Sequence, residues 1–485
     1  MILAALAATI GSLQPAPCGL QGIPADYEQK HGIKCGWVTV PLRHDTADGK
    51  SIRLWTARVR GLGSERSDDP ILYINGGPGI ATVDSILPYL EEGKTIPLLR
   101  QGRDLILFDQ RGSGRSEETL CPELSKNLDA IASEGLDPTA EDKRERAAYV
   151  ACKAELDATG RDLGAYTTRA TANDIDLVRR AYGVIKWNLA AISYGTLVAL
   201  DAMRTSPSSI RSVILNSPYP PNSAAWAEQS TTAVAGFAAI DRECSAQPQC
   251  RNRFGAIIPK LEETLARLER TPLKDGEKQI TGRQWARAIW PLAARSSTVK
   301  FVPLAIHRAH SGDTALIKKM VGMFASGGSF GGFSAAQARA ISCHESGQTE
   351  QWYTRARALH PGMVSTAPDD SWDRTCALFK PGFADPAFFA PVASAIPALI
   401  YAGSVDPATP TIDAYQTTRL LSRATLVEVR GAAHGPMVED ACTMAIAKAF
   451  LADPTAQPDR SCMGKRPTVA FATEGLDELL SPTGK

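Results

Sequence analysis

AAISYGTLVAL, residues 190–200, sets one serine, Ser193, between an apolar run and a glycine, after which small and apolar residues resume. The preceding Trp187-Asn188-Leu189-Ala190-Ala191-Ile192 reads as a buried strand, and Thr196 to Met203 reads as a helix. A serine at a strand-to-helix turn, with Gly195 behind it, has the outline of a nucleophile elbow, which lifts the hydroxyl above the sheet edge at a helix N-terminus. The usual G-x-S-x-G pattern has glycine where this chain has Ala191, the smallest replacement. An ordinary strand–helix turn would read the same way locally, so the rest of the chain decides.

Working outward, WVTVPL and SIRLWTARVR flank the turn-rich RHDTADGK and read as a hairpin. Short apolar runs follow at ILYI, DLILFD, WNLAAI, SVILN, ALIYAG and ATLVEVR, many separated by helix-sized segments. A starting hairpin followed by alternating buried strands and helices predicts an α/β architecture, a mostly parallel sheet wrapped by helices. From 218 to 391 the alternation stops. Stretches such as IIPKLEETLARLER and QWARAIWPLAARS are helical, and FASGGSFGGFS is a glycine-rich connection or a lid hinge. The expected organisation is a core of 18–217 and 392–485 with a helical cap, 218–391, inserted between its halves. No internal repeat is found.

At 485 residues the chain is long enough for a core plus an insertion, and Lys+Arg 53 against Asp+Glu 52 leaves a net charge of +1. Such a balance provides no long-range field, so neither nucleic acid nor membrane is an expected partner. No apolar run approaches the ~20 residues of a spanning helix. Ten cysteines, at 18, 35, 121, 152, 244, 250, 343, 376, 442 and 462, lack C-x-x-C spacing and predict disulfides between sequence neighbours, each closing a short loop. The apolar start, residues 1–17, reads as the remnant of a secretory signal with a disulfide-tied C-terminal region at the other end, hence a secreted or periplasmic address. A cytosolic chain with free thiols is the alternative.

A serine needs a base, and the base needs a carboxylate to orient it. Asp406 follows the strand-like ALIYAGS, and His434 lies in VEVRGAAHGPM, also just after a strand-like run. Of the seven histidines only His434 is so placed. The order Ser193, Asp406, His434 is that of the α/β-hydrolase triad. The oxyanion requires backbone donors; Gly77, in ILYINGGPGIA beside Gly76, and Tyr194, after the nucleophile, supply them. Asp109 and Arg111 in DQRGSGRS read as an internal pair pinning a turn.

Together NGGPG at 75–79, DQRGSGRS at 109–116, the SYG elbow, GSVDPATP and GAAHG resemble the α/β-hydrolase serine peptidases of the proline iminopeptidase and tripeptidyl aminopeptidase family. Two positions depart from it, Asn75 where histidine is usual and Ala191 at the elbow. The resemblance implies an α/β-hydrolase core with an inserted helical cap, no metal or organic cofactor, and peptide substrates with a free N-terminus, with proline or small residues preferred at the cleaved position. It also implies a cap carboxylate that binds the substrate ammonium, for which Glu345, beside Cys343, is the candidate and Asp369 and Asp370 are reserves. A carboxylic ester hydrolase and a non-catalytic binding protein on the same fold are the alternative functions.

Overall fold

The computed structural model describes residues 9–20, 23–90, 99–117, 119–223, 229–324, 332–345, 371–466 and 468–481. Its nine-stranded sheet runs β1 (Leu13–Ala16), β2 (Lys34–Pro41), β3 (Ser51–Val59), β5 (Leu105–Phe108), β4 (Ile71–Ile74), β6 (Trp187–Ile192), β7 (Ile210–Asn216), β10 (Ala398–Gly403), β11 (Ala424–Val429). β2 is antiparallel to both β1 and β3, and β3 is antiparallel to β5; from β5 onward every neighbour is parallel. The remaining pair, β8 (Leu273–Asp275) and β9 (Lys278–Ile280), forms a separate hairpin.

The central parallel strands are largely apolar because both faces are covered, whereas the edge strand β11 alternates in burial. Leu72 and Ile74 of β4 join one core, with helices Thr168–Ala181 and Tyr194–Thr205, while Ile71 and Tyr73 join the other, with helices Thr82–Ile86 and Ala441–Ala452. Local capping marks where these helices begin. Thr167 caps the first through Ala170 N–H, and Asp440 with Thr443 forms a capping box on the last.

Of residues 1–17, Leu13–Ala16 belong to the sheet, paired in register with Val38 to Cys35 of β2. Their backbone groups complete the edge of β2, a role that a four-residue segment containing Pro15 does not advertise.

The helices described between β7 and β10 enclose an apolar core of their own, built around Trp285, Ile289, Leu261, Leu265 and Val302. Phe471, Leu476 and Leu480 of the C-terminal segment enter the same core. A second helical contribution comes from the chain between β5 and β6. Helices Leu124–Ser133 and Pro138–Ala158 pack with helices Ala335–Glu345 and Ser371–Phe379 around Tyr149, Leu156, Tyr166 and Phe379. Arg283 reaches Asp142 at 2.6 Å and Arg287 reaches Glu141, tying the two contributions together.

Five disulfides join Cys18–Cys35, Cys121–Cys152, Cys244–Cys250, Cys343–Cys376 and Cys442–Cys462, the neighbour pairing expected from the spacing. Among the described residues no helix is long and apolar enough to cross a membrane. FASGGSFGGFS lies largely outside the described residues, as do Asp369 and Asp370.

Candidate active site

Ser193 sits between the end of β6 and the first residue of helix Tyr194–Thr205, with φ 55° and ψ −131°. A non-glycine residue holds such a backbone only where its surroundings over-determine it. Two contacts do so: Ser193 N–H donates to Asn216 O on the neighbouring strand, and Thr196 N–H returns to Ser193 O. Gly195 has no side chain because a Cβ there would lie 2.4 Å from Ile74 O and 2.5 Å from Asn75 O. Helix and strand therefore meet at backbone distance. Ala191, at the position usually taken by glycine, is buried between Ile74 and Leu215 on the paired strands and fills that space without displacing them.

Across the turn, the NGG loop after β4 stands against the serine. A Cβ on Gly76 would come within 2.9 Å of Ser193 Cβ and 3.4 Å of its Oγ. Asn75 Oδ1 accepts from Gly76 N–H at 2.9 Å, Asn75 Nδ2 donates to Ser85 Oγ, and Gln110 Nε2 donates to Asn75 O. The asparagine thus braces the loop and occupies the Gly76 donor, leaving Gly77 and Tyr194 as the oxyanion candidates.

Asp406 and His434 come together from the ends of β10 and β11, with His434 Nδ1 2.8 Å from Asp406 Oδ2. Asp406 is fully buried at its side chain, and His434 is 19% exposed. Four further donors hold the carboxylate: Ala408 N–H and Thr409 N–H on Oδ1, Ser217 Oγ and Thr409 Oγ1 on Oδ2. Ser217 also accepts from Gly435 N–H, so one hydroxyl links the acid to the residue after the histidine. Burial would raise the Asp406 pKa, but the imidazole charge and these hydrogen bonds hold it below the usual carboxylate value. Burial would likewise lower His434; the Asp406 charge and hydrogen bond outweigh it and raise the imidazole.

The helical layer positions this pair. His434 N–H donates to Ala294 O, Ala433 N–H donates to Ser296 Oγ, and Gly236 lets its helix close onto Pro407. Sequence reasoning did not find Ser217 or Thr409. The faint signals are positional, a serine directly after β7 and a threonine three residues beyond the acid.

Glu345 is buried, 4% exposed, at the end of helix Ala335–Glu345. Its Oε1 accepts from Thr168 N–H at 2.8 Å and its Oε2 from Thr168 Oγ1 at 2.7 Å; that hydroxyl in turn lies 2.8 Å from Tyr194 OH. Burial pushes its pKa up to about 8 despite these bonds. Through the Thr168 hydroxyl, Glu345 is linked to Tyr194, the residue that follows the expected nucleophile.

Arg111 is structural, but with a different partner from the one expected. Its guanidinium, fully buried, makes two bonds to Asp174 and caps the carbonyls of Pro41, Leu42 and Ala165. Asp109 instead accepts from Val83 N–H and Arg115 N–H, and burial raises its pKa to about 7.

In general, a serine at such a turn attacks a carbonyl where an imidazole fixed by a carboxylate takes its proton and backbone N–H groups receive the oxyanion. Residues 69–242 match the family model of the alpha/beta hydrolase fold, and 366–462 match a model described as TAP-like protein. The chain is similar to a tripeptidyl aminopeptidase of Streptomyces lividans, 29% identical over 221 residues, which are 44% of this chain and 41% of that protein. It is also similar to the serine protease Hip1 of Mycobacterium tuberculosis, 28% identical over 200 residues, 39% of this chain and 37% of the other. The matched stretch thus spans about two-fifths of the length of these relatives. Among solved structures, a proline iminopeptidase of Mycobacterium smegmatis aligns at TM-score 0.41 and 14% identity, covering 86% of this chain and 98% of that one.

Proposed function

We infer that the chain, which belongs to the α/β hydrolases, is a serine hydrolase that cleaves peptides from a free N-terminal end. In this reading Ser193 attacks the scissile carbonyl and His434 takes its proton. The N–H groups of Gly77 and Tyr194 hold the oxyanion, and His434 then protonates the leaving amine as the acyl-enzyme forms. Water deacylates the serine by the same relay. Asp406 stays ionised throughout and fixes the imidazole with Nδ1 as donor. Two observations support the reading, the His434–Asp406 contact of 2.8 Å and a serine at a strand-to-helix turn whose backbone adopts the elbow conformation.

Peptide rather than ester cleavage is supported by the tripeptidyl aminopeptidase and Hip1 similarities and by the TAP-like region. The helices of 218–391 would restrict access to chain ends. In this reading Glu345 acts through Thr168 on the elbow rather than on the substrate ammonium, for which no residue is assigned. An oxidising compartment outside the cytoplasm belongs to the same proposal, and the five disulfides support it.

The test is a matched panel on wild type and Ser193→Ala: prolyl, alanyl and tripeptidyl arylamides, their N-acetylated forms, and a short-chain p-nitrophenyl ester. Cleavage confined to free-amine amides and lost in the variant is the expected result. Ester turnover with no amide cleavage would assign an esterase instead, and no turnover of any substrate would leave a binding protein on a hydrolase fold.

A further inference from the structure

Helix Ala335–Glu345 meets, at its two ends, the two segments that carry the candidate oxyanion donors. At its start, Ser334 N–H donates to Gly79 O at 2.8 Å, two residues beyond Gly77. The approach is at backbone distance. A Cβ on Gly79 would lie 2.7 Å from Ser334 O and 2.9 Å from Phe333 Cε2, and one on Gly332 would lie 2.7 Å from Ala81 Cβ. Gly332 to Ser334 are the last residues of the glycine-rich FASGGSFGGFS, so the contact falls where both segments supply glycine. At the other end of the helix, Glu345 holds Thr168, whose hydroxyl lies 2.8 Å from Tyr194 OH.

The helix is itself fixed from outside. Ser125 Oγ, on helix Leu124–Ser133, donates to Phe333 O at 2.7 Å and accepts from Ala335 N–H at 3.0 Å. Gln337 Nε2 donates to Arg111 O at 2.8 Å, and Ser334 Oγ accepts from Gln337 N–H at 3.3 Å, which caps the first turn. Toward the far end, Cys343 is bridged to Cys376 of helix Ser371–Phe379. Between the ends, Ile341 enters the sheet core, while Ala336 and Ala340 enter the cluster of Tyr149 and Phe379. The helix is therefore gripped on two faces.

An oxyanion hole works only if its donors converge to about 3 Å from one developing charge, so the separation of the two donor segments matters as much as the conformation of each. Eleven helical residues make a rod about 15 Å long, whose length is set by its own hydrogen bonds. Tying both segments to one such rod makes their separation a property of the helix.

We propose that helix Ala335–Glu345 is the positioning element of the oxyanion hole, setting Gly77 N–H through Gly79 and Tyr194 N–H through Thr168, with Ser125 and Gln337 as positioning residues that fix where the helix starts. The proposal rests on Gly77 and Tyr194 being the oxyanion donors of the proposed hydrolase. Ser125 and Gln337 then act on the charged, tetrahedral state of the substrate carbonyl and not on its ground state.

The experiment compares two ligands on the full oxidised chain. The first is a free-amine peptide aldehyde matched to the best arylamide: Ser193 Oγ adds to its carbon, the serine proton passes to His434, and the carbonyl electron pair becomes an oxyanion in the hole. The second is the corresponding peptide alcohol, which forms no adduct. In Ser125→Ala/Gln337→Leu, aldehyde affinity and kcat should fall at least about tenfold, while KM and alcohol affinity change less than about twofold. Ser125→Ala alone should lose about threefold in the same two quantities, and Ser125→Thr, which keeps the hydroxyl, should recover them. These single variants decide if the double variant does not fold. Wild-type aldehyde affinity in the folded variants would overturn the proposal and leave the hydrolase reading standing, as would parallel losses of aldehyde and alcohol affinity, the mark of a damaged cleft. A wild-type chain that binds the aldehyde no better than the alcohol would overturn both.

Discussion

Glu345 meets Thr168 through both carboxylate oxygens, and the Thr168 hydroxyl passes the contact on to Tyr194 OH. One donor–acceptor chain thereby joins the end of helix Ala335–Glu345, the start of helix Thr168–Ala181 and the residue after the nucleophile. Because its pKa stands near 8, Glu345 is mostly protonated at neutral pH, and Gln is close to isosteric with that form. In Glu345→Gln, KM for free-amine peptides should change less than about twofold and kcat at pH 7 should fall only a few-fold. A tenfold or larger rise in KM confined to free-amine substrates would restore the ammonium-anchor role.

The same carboxyl makes stability depend on pH. Its folded pKa lies above the unfolded value near 4.3, so the folded state keeps a proton that the unfolded chain has lost. Stability is therefore full below the unfolded value and declines as pH rises through about 8, at up to about 1.4 kcal/mol per unit. Asp109, raised to about 7, adds a decline of the same sign. Denaturant melts of wild type between pH 5 and 9 should show falling stability, and Glu345→Gln should remove part of the slope while leaving the Asp109 share. An unchanged slope would mean that Glu345 is ionised in the fold.

In the proposed mechanism His434 is a base only when neutral, and its pKa is raised by Asp406. The acidic limb of the kcat/KM profile should therefore lie above 6.5, with activity lost as pH falls through it. Asp406→Asn removes the charge and the tautomer control, and kcat should drop by about 10⁴ with folding retained. A limb at or below 6.5 in wild type would contradict the geometry of the pair.

Ser217 holds Asp406 Oδ2 and Gly435 N–H at once. Removing one hydroxyl from that pair leaves a buried donor unmet and loosens the histidine loop, so Ser217→Ala should lower kcat about tenfold, equivalent to about 1.4 kcal/mol, with KM little changed. Steady-state kinetics on the best arylamide checks it.

Gly195→Ala tests the elbow's packing without touching the reacting groups. Its Cβ would collide with two backbone oxygens, which cannot swing aside as a side chain would. A loss of about 1–3 kcal/mol is expected in a denaturant melt. Wild-type stability in this variant would mean that the helix does not pack against β4 as described.

The central strands of the core were legible because buried parallel strands are written as largely apolar runs, and Ser193, Asp406 and His434 could be singled out as candidates because each lies within five residues of the end of such a run. Neighbour pairing of the cysteines followed from short loop closure. What stayed hidden depends on partners far along the chain. β1 gains its identity only from β2, Arg111 is 63 residues from Asp174, and Glu345 is 177 from Thr168. No local pattern encodes such contacts. The helices Leu124–Ser133 and Pro138–Ala158 escaped for a related reason: they break the strand alternation inside the core region, and their apolar faces make sense only against helices more than 170 residues later.

The central claim, that Ser193 is a nucleophile activated by His434, is tested most directly by intact-mass measurement of fluorophosphonate labelling with peptide mapping. One adduct per chain on Ser193, absent in Ser193→Ala and at least about 10³-fold slower in His434→Ala, is the expected result. No adduct on wild type, or labelling of Ser193→Ala at the wild-type rate, would contradict it.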